Sequence, residues 1–346
     1  MSEFEIQCPV PLARHDIIQI AHGGGGRMSQ RLIESVFLSA FANEALANRH
    51  DASVIQGNGK LAITTDAFVV TPWRFPGGDI GSLAVHGTVN DLAMAGARPI
   101  ALSASFILEE GLSVDDLREV VRSMQNAASE AGVPIVTGDT KVVERGKADG
   151  LYISTTGIGE VIANTPIGPT SVRPGDAILL SGDVGRHGAA IMTAREGLEL
   201  NSPIESDAAS VHLSALALID EGIDVHCMRD ATRGGLATVL NEISRDSGFG
   251  IAVSEDAVPV TEDVRGICEL LGLDPLYVAC EGRFIAFVPD DQADRAISIM
   301  RRFSVSSGTV RIGTVREGRA RVTLKTQIGV ERVLDLLSGE QLPRIC

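Results

Sequence analysis

Residues 162–174 divide this chain in two. The stretch gathers Asn164, Pro166, Gly168, Pro169 and Pro174. That density of turn formers and of residues lacking a backbone N–H suits neither a helix interior nor a central strand. On each side the sequence mixes strand-like and helix-like segments without a regular βα alternation. Each half is therefore expected to be a sheet with helices packed on it, an α+β arrangement and not a doubly wound fold. The 346 residues leave room for two domains of ordinary size. The predicted division is residues 1–165, residues 166–337 and a mobile tail of residues 338–346. Aromatic residues are 4% of the chain and glycines number 37, so packing is expected to rest on small aliphatic side chains and many turns.

Periodicity fills in the halves. Leu32, Ile33, Val36, Phe37, Ala40 and Phe41 form one apolar stripe of helical period. Leu61–Val70 reads as a strand with Asp66 inside it, Gly81–Gly96 as a helix, and Val133–Val136 and Tyr152–Val161 as strands. Ser113 is placed to cap a helix that carries Asp115 and Asp116 in its first turn and ends at Gly132. In the second half a strand is predicted at Ala177–Ser181, with helices near Ala189–Glu196, Val211–Glu221, Leu236–Ser247, Glu262–Leu271 and Asp290–Arg302. Leu276–Ala279 and Arg283–Val288 look like paired strands, and Ile328–Leu337 like a last helix.

Charge and cysteines narrow the function. Thirty Lys and Arg against 45 Asp and Glu give a net −15. Nucleic acid and anionic membrane are thereby disfavoured as partners, since phosphate binding needs a basic footprint. No run of apolar residues is long enough to span a bilayer, and Pro9, Pro11 and Asp16 interrupt the place of a signal peptide. Cysteines 8, 227, 268, 280 and 346 are odd in number and lack C-x-x-C spacing. They fit neither a disulfide framework nor a structural zinc site, and the expected location is the reducing cytoplasm.

Cys346 is the final residue, a thiol on a tether. Eight or nine extended residues reach roughly 30 Å, against a radius of gyration of about 20 Å for a chain this long. The thiol can thus enter an active site, or be an incidental cysteine on a frayed end. The run Gly23–Gly26, including Gly24 and Gly25, lacks the form of a Walker A loop but lets backbone N–H groups approach phosphate, or else serves as a linker. Asp51, Asp66, Asp91, Asp139 and Asp230 each stand beside unusual backbone. Singly they read as caps or salt bridges; together, as hard oxygen ligands suited to Mg2+. Glu281 and Lys141 are candidate proton acceptors or structural ion pairs, and Arg233 a candidate phosphate contact. The histidines show no metal spacing and receive no role.

Four stretches then point to a family: FPGGDIGSLAVHGTVNDLAMAGARP (75–99), TGDTKVVERG (137–146), MRDATRGGLATVLNEI (228–243) and the terminal PRIC. With the glycine run they resemble the hydrogenase maturation factor HypE. The second part of the first stretch is similar to the wider superfamily of aminoimidazole ribonucleotide synthetase, selenophosphate synthetase and thiamine-monophosphate kinase. The resemblance implies an α/β N-terminal domain that forms a β-barrel across a homodimer, with a C-terminal α+β domain packed on it. It implies ATP and Mg2+ near Asp51, Asp66, Asp91, Asp139 and Asp230, with Asn90, Thr140 and Lys141 close by. It implies that a carbamoyltransferase, HypF, loads a carbamoyl group on Cys346, which the chain dehydrates to a thiocyanate with ATP. The nitrile would pass to a HypC–HypD iron scaffold and become a cyanide ligand of nickel–iron hydrogenase. A sister enzyme acting on a free small molecule, and a non-catalytic nucleotide-binding scaffold, are the competing expectations.

Overall fold

In a computed structural model of the protein, residues 16–23, 27–43, 57–198, 204–336 and 345–346 are described. Gly24, Gly25, Asp51 and the approach to the terminus at 337–344 lie outside them.

The predicted apolar stripe is helical: α1 (Arg27–Leu32) runs into a π-helical turn at Ile33–Leu38 that buries Val36 and Phe37. Strand β1 (Leu61–Phe68) alternates between exposed and sheltered positions, as a strand with one covered face should. A short hairpin, β2 (Arg74–Phe75) and β3 (Gly78–Asp79), leads into helix α2 (Ile80–Met94). Asp79 caps α2 through the N–H groups of Gly81 and Ser82, and Ser82 answers with a reciprocal bond. Nearly every residue of α2 is buried, because the helix lies between the N-terminal sheet and the C-terminal domain. Its lack of an amphipathic stripe is what a helix enclosed on all sides requires. Strand β4 (Ala97–Glu109), helix α3 (Val114–Ala131), β5 (Ile135–Val143) and β6 (Leu151–Val161) complete the domain. Ser113 caps α3 and Gly132, at φ 68°, ends it, as the sequence indicated.

The sheet order is β1-β6-β4-β5, with β4 and β5 parallel and the other pairs antiparallel. One face packs under α2. The other leaves Leu61, Ile63 and Ile107 exposed.

After the proline-rich junction come β7 (Ala177–Leu180), α4 (Arg186–Glu196), α5 (His212–Asp220), β8 (Cys227–Asp230), α6 (Gly235–Ser247) and β9 (Gly250–Ser254). They are followed by α7 (Glu262–Leu271), β10 (Phe284–Val288), α8 (Ala293–Met300), β11 (Val310–Arg316), β12 (Arg321–Lys325) and β13 (Glu331–Val333). The seven strands order as β13-β12-β9-β11-β7-β10-β8. The fold is α+β, as expected, with one large sheet in each domain and the small β2–β3 hairpin beside them among the described residues.

Three local expectations fail. Residues 97–109 form a strand that the sequence reading left unassigned. The helix expected over 328–337 is not found in its described part, 328–336: β13 pairs antiparallel with β12, and its β-branched Val333 suits an edge strand. Leu276–Ala279 does not pair with β10, whose neighbours are β7 and β8; Pro275–Tyr277 is a single 3-10 turn.

Candidate active site

The last two residues are folded inward, between the domains. Ile345 is 4% exposed and joins the N-terminal core beside Ile191 and Ala279 from the C-terminal domain. Val69 N–H, just past β1, donates to a backbone carboxylate oxygen of Cys346 at 3.1 Å. His187 Nε2 donates to the Ile345 carbonyl at 2.9 Å. The Arg233 guanidinium lies beside the Cys346 thiol, close enough to act on it electrostatically, and reaches Asp66 Oδ1 at 3.3 Å. Burial first, and the nearby Glu281 second, push the Cys346 thiol up to about 12, against a smaller opposing pull from Arg233. A docked thiol is therefore protonated at neutral pH.

Glu281 sits on the turn into β10. Gly282 beside it lies so close to residue 207 that a Cβ there would fall 1.8 Å from the Asp207 carbonyl oxygen. Only glycine permits that approach, which lets Glu281 N–H donate to Asp207 Oδ1 at 3.2 Å. The Glu281 carboxyl is buried and its Oε1 has no hydrogen-bond partner among the described residues. Burial, then the charges of Asp230, Asp207 and Asp66, hold its proton on far above the usual carboxylate range. Asp207 Oδ2 is likewise without a hydrogen bond; Arg283 Nε approaches it only to 3.8 Å.

Asp66, Asp91 and Asp230 come from β1, α2 and the end of β8. They face one another between the sheet and the C-terminal domain. Burial raises all three, and Asp66 also repels Asp91. Asp230 reaches about 7, through burial and then repulsion from Asp91. Thr64 Oγ1 donates to Asp91 Oδ2 at 2.8 Å. Among the described residues no three His, Cys, Asp or Glu side chains converge closely enough, as placed, to ligate one ion. The donor chemistry nonetheless fits a hard divalent cation: three carboxylates that repel one another in a half-dry cleft are only partly balanced by Arg233 on Asp66.

Three other candidates lie elsewhere. Asp139 sits within β5, not after a strand end, opposite Ser105 of β4. Its partner there is exposed, so Asp139 and Lys141 belong to the open face of the sheet, away from Asp66. They pair with each other at 2.8 Å. Thr140 points to the other side, and all three residues, with Phe37, Phe41 and Phe106, line a cavity of about 240 Å3 at the edge of the sheet. Asn90 clasps α2 to the C-terminal domain: its Nδ2 donates to the Ala209 carbonyl at 2.9 Å and its Oδ1 accepts from Val211 N–H at 2.8 Å. Both ends of the amide are engaged in that contact. Sequence reasoning missed His187 and Asp207. The one signal for His187 was its place in Gly185-Arg186-His187-Gly188, a histidine between glycines at a helix start.

Residues 49–161 match the N-terminal domain of AIR synthase related proteins, and residues 173–325 match the C-terminal domain of the same family. Those two matches define the class: an AIR synthase related protein. Within it, the chain is 53% identical over 332 residues to the carbamoyl dehydratase HypE of Cupriavidus necator, covering 95% of each chain. A crystal structure of the hydrogenase maturation protein HypE in complex with ATP aligns with a TM-score of 0.92 at 49% identity, covering 94% of this chain and 99% of that one. A HypE–HypF complex aligns with a TM-score of 0.78 at 45% identity, covering 88% and 99%. The chain belongs to the HypE family of carbamoyl dehydratases.

Proposed function

We propose that this protein dehydrates an S-carbamoyl group carried on its own Cys346 to a thiocyanate, cleaving ATP to ADP and phosphate. The observation that carries the reading is the inward tail, which sets the Cys346 sulfur beside Arg233 and Glu281 in its own chain.

An amide oxygen leaves poorly as hydroxide. When it attacks the γ-phosphorus of ATP, ADP departs and the oxygen becomes part of a phosphate ester. The C–O bond then breaks with loss of phosphate, and nitrogen gives up its two protons as the C≡N bond forms. The water formally removed ends as the oxygen and protons of phosphate. Arg233, already beside the sulfur, is placed to meet charge developing on the transferred phosphoryl group. Burial of Ile345 and the packing around it keep water from the phosphorylated intermediate.

Asp66, Asp91 and Asp230 are the residues that would hold Mg2+, and the ion would supply neutralisation of phosphate charge. Glu281, buried beside the sulfur, is placed to accept a proton from nitrogen; neutralising Asp66 and Asp230 would relieve two of the charges that oppose its ionisation, burial being the larger cause. Lys141 is the second base only if it arrives from another protomer, because on its own chain it lies on the opposite sheet face. The exposed Leu61, Ile63 and Ile107 support a homodimer closed through that face, and such closure would carry Asp139 and Lys141 inward.

Loading of Cys346 calls for a HypF-type carbamoyltransferase, because the docked thiol is protonated and enclosed; discharge calls for a HypC–HypD-type iron scaffold. Both need Cys346 to leave the cleft. The described cysteines are all unpaired, which suits a reducing cytoplasm, and no helix of the described residues is long and apolar enough to cross a membrane. The test is mass spectrometry of the carbamoylated C-terminal peptide before and after MgATP. Loss of one water supports dehydration; ATP cleavage with that mass unchanged refutes it.

A further inference from the structure

His187 begins the first full turn of α4 and is completely buried, edge-on to Phe75 with ring centroids 5.4 Å apart and planes at 89°. Its Nδ1 lies 2.8 Å from Ser206 Oγ and its Nε2 2.9 Å from the Ile345 carbonyl. A carbonyl can only accept, so Nε2 carries the proton and Nδ1 is the acceptor. Ser206 Oγ accepts from Ala208 N–H at 3.0 Å, which leaves its own proton for Nδ1. The relay has one direction: Ala208 N–H to Ser206, Ser206 O–H to His187, His187 Nε2–H to the tail.

The serine end is itself fixed. Ser206 N–H donates to the Pro76 carbonyl at 2.8 Å. Gly77, at φ 90°, makes this possible, since a Cβ there would stand 2.7 Å from Ser206 N. When the tail withdraws, Nε2–H loses its acceptor in a buried pocket, and an unmatched buried donor is unfavourable. The pocket therefore favours the tail's return. Meanwhile Val69 N–H holds a carboxylate oxygen of Cys346 from the N-terminal domain. The Ile345 carbonyl and the Cys346 carboxylate are thus gripped from two domains.

We propose that His187, locked by Ser206 in its Nε2–H tautomer, is the latch that recognises the docked tail and sets the register at which Cys346 meets Glu281 and Arg233. It is a positioning residue, since it touches the chain one residue before the reacting sulfur and none of the reacting atoms. The inference rests on the reading of the tail as substrate carrier. A misplacement of about 1 Å at the reacting centre costs on the order of a hundredfold in rate, so losing the latch affects chemistry as well as docking.

The test uses the full chain and two readouts. The first is the rate of Cys346 alkylation by iodoacetamide without nucleotide, which reports docking alone. The second is single-turnover dehydration of carbamoylated Cys346 with MgATP. His187→Phe keeps an aromatic ring against Phe75 and removes the donor. It is expected to speed alkylation by about tenfold and slow dehydration by on the order of a hundredfold. His187→Gln, whose amide N–H reaches the Nε2 position, should recover most of both. Ser206→Ala, which leaves the ring and tail intact, should move both rates the same way to a lesser degree, and it carries the test should His187→Phe not fold. A folded His187→Phe chain with both rates within about twofold of wild type overturns the latch, as does a Gln variant no better than Phe. If carbamoylated wild type is not dehydrated at all, the functional reading fails, while the alkylation arm still decides whether His187 holds the tail.

Discussion

The Arg233 guanidinium pairs with the Asp66 carboxylate at 3.3 Å and lies beside the Cys346 thiol. Arg233 belongs to the loop after β8 and Asp66 to β1, so the terminal residue is gripped where the two domains meet. Gly235, at φ 62°, lets that loop pass within reach of the Val278 carbonyl, where a Cβ would stand 2.6 Å away. The loop before α6 is thus fixed against the segment that leads to Glu281. A thiol, a cation and a proton-holding carboxyl are brought together by three separate parts of the chain.

Glu281→Gln is the sharpest chemical test of that grouping. The amide copies the size of the protonated carboxyl present in the resting site, so folding should be unaffected at neutral pH. Dehydration should fall by about a hundredfold or more, the usual share of a positioned base, while ATP still binds. Single-turnover rates alongside a nucleotide-binding titration separate the two. A rate near wild type would remove Glu281 from the mechanism.

Asp230 ties the site to pH. It titrates at about 7 in the folded chain against a usual 3.8. Between those values the native chain keeps a proton that the unfolded chain has lost, so this residue lowers stability as pH rises through that window. Asp230→Asn removes the penalty. Urea unfolding should show the variant level with wild type below the usual carboxylate range and more stable, by on the order of a few kcal/mol, above about pH 8. Added Mg2+ should stabilise wild type more than the variant.

Asn90→Ala should behave as a structural lesion. It strands the Ala209 carbonyl and the buried Val211 N–H, at about 1–3 kcal/mol each. Thermal unfolding should move down, while nucleotide affinity per folded molecule should hold. A selective loss of ATP affinity would place Asn90 in the ligand set.

Ile63 is 73% exposed in the centre of β1's open face. If that face closes a dimer, Ile63→Glu buries an unpaired charge and should yield monomers in light scattering, with the dissociation constant raised about a hundredfold or more. A dimer unchanged by Ile63→Glu would place the contact elsewhere.

Much of this arrangement was written in local pattern. Ser113 and Gly132 bracket α3 because caps and left-handed glycines act over single turns. The alternation in β1 exposed Asp66 as a charge in a covered strand. Other features depend on distant parts of the chain. Strand β4 escaped notice because Gly96 and Pro99 read as punctuation, and its alternating Ala and Ser carry little hydrophobic contrast. Residues 328–337 have apolar spacing that a helix could use, and only pairing with β12 decides for an edge strand. Asn90 sits next to Asp91 in sequence, yet α2 turns the two side chains to different neighbours. Asp139 and Lys141 share a motif with Thr140 but take the opposite face, because strand period is two. The value of His187 is invisible without the tail, whose carbonyl is its partner from the far end of the chain.

The most direct measurement is the mass of the C-terminal peptide from full-length, carbamoylated protein after one turnover with MgATP. The expected result is loss of one water from the peptide bearing Cys346, absent in Cys346→Ala and strongly slowed in Glu281→Gln. A carbamoyl group that keeps its full mass while ATP is consumed would contradict the central claim that this chain dehydrates a group bonded to its own terminal sulfur.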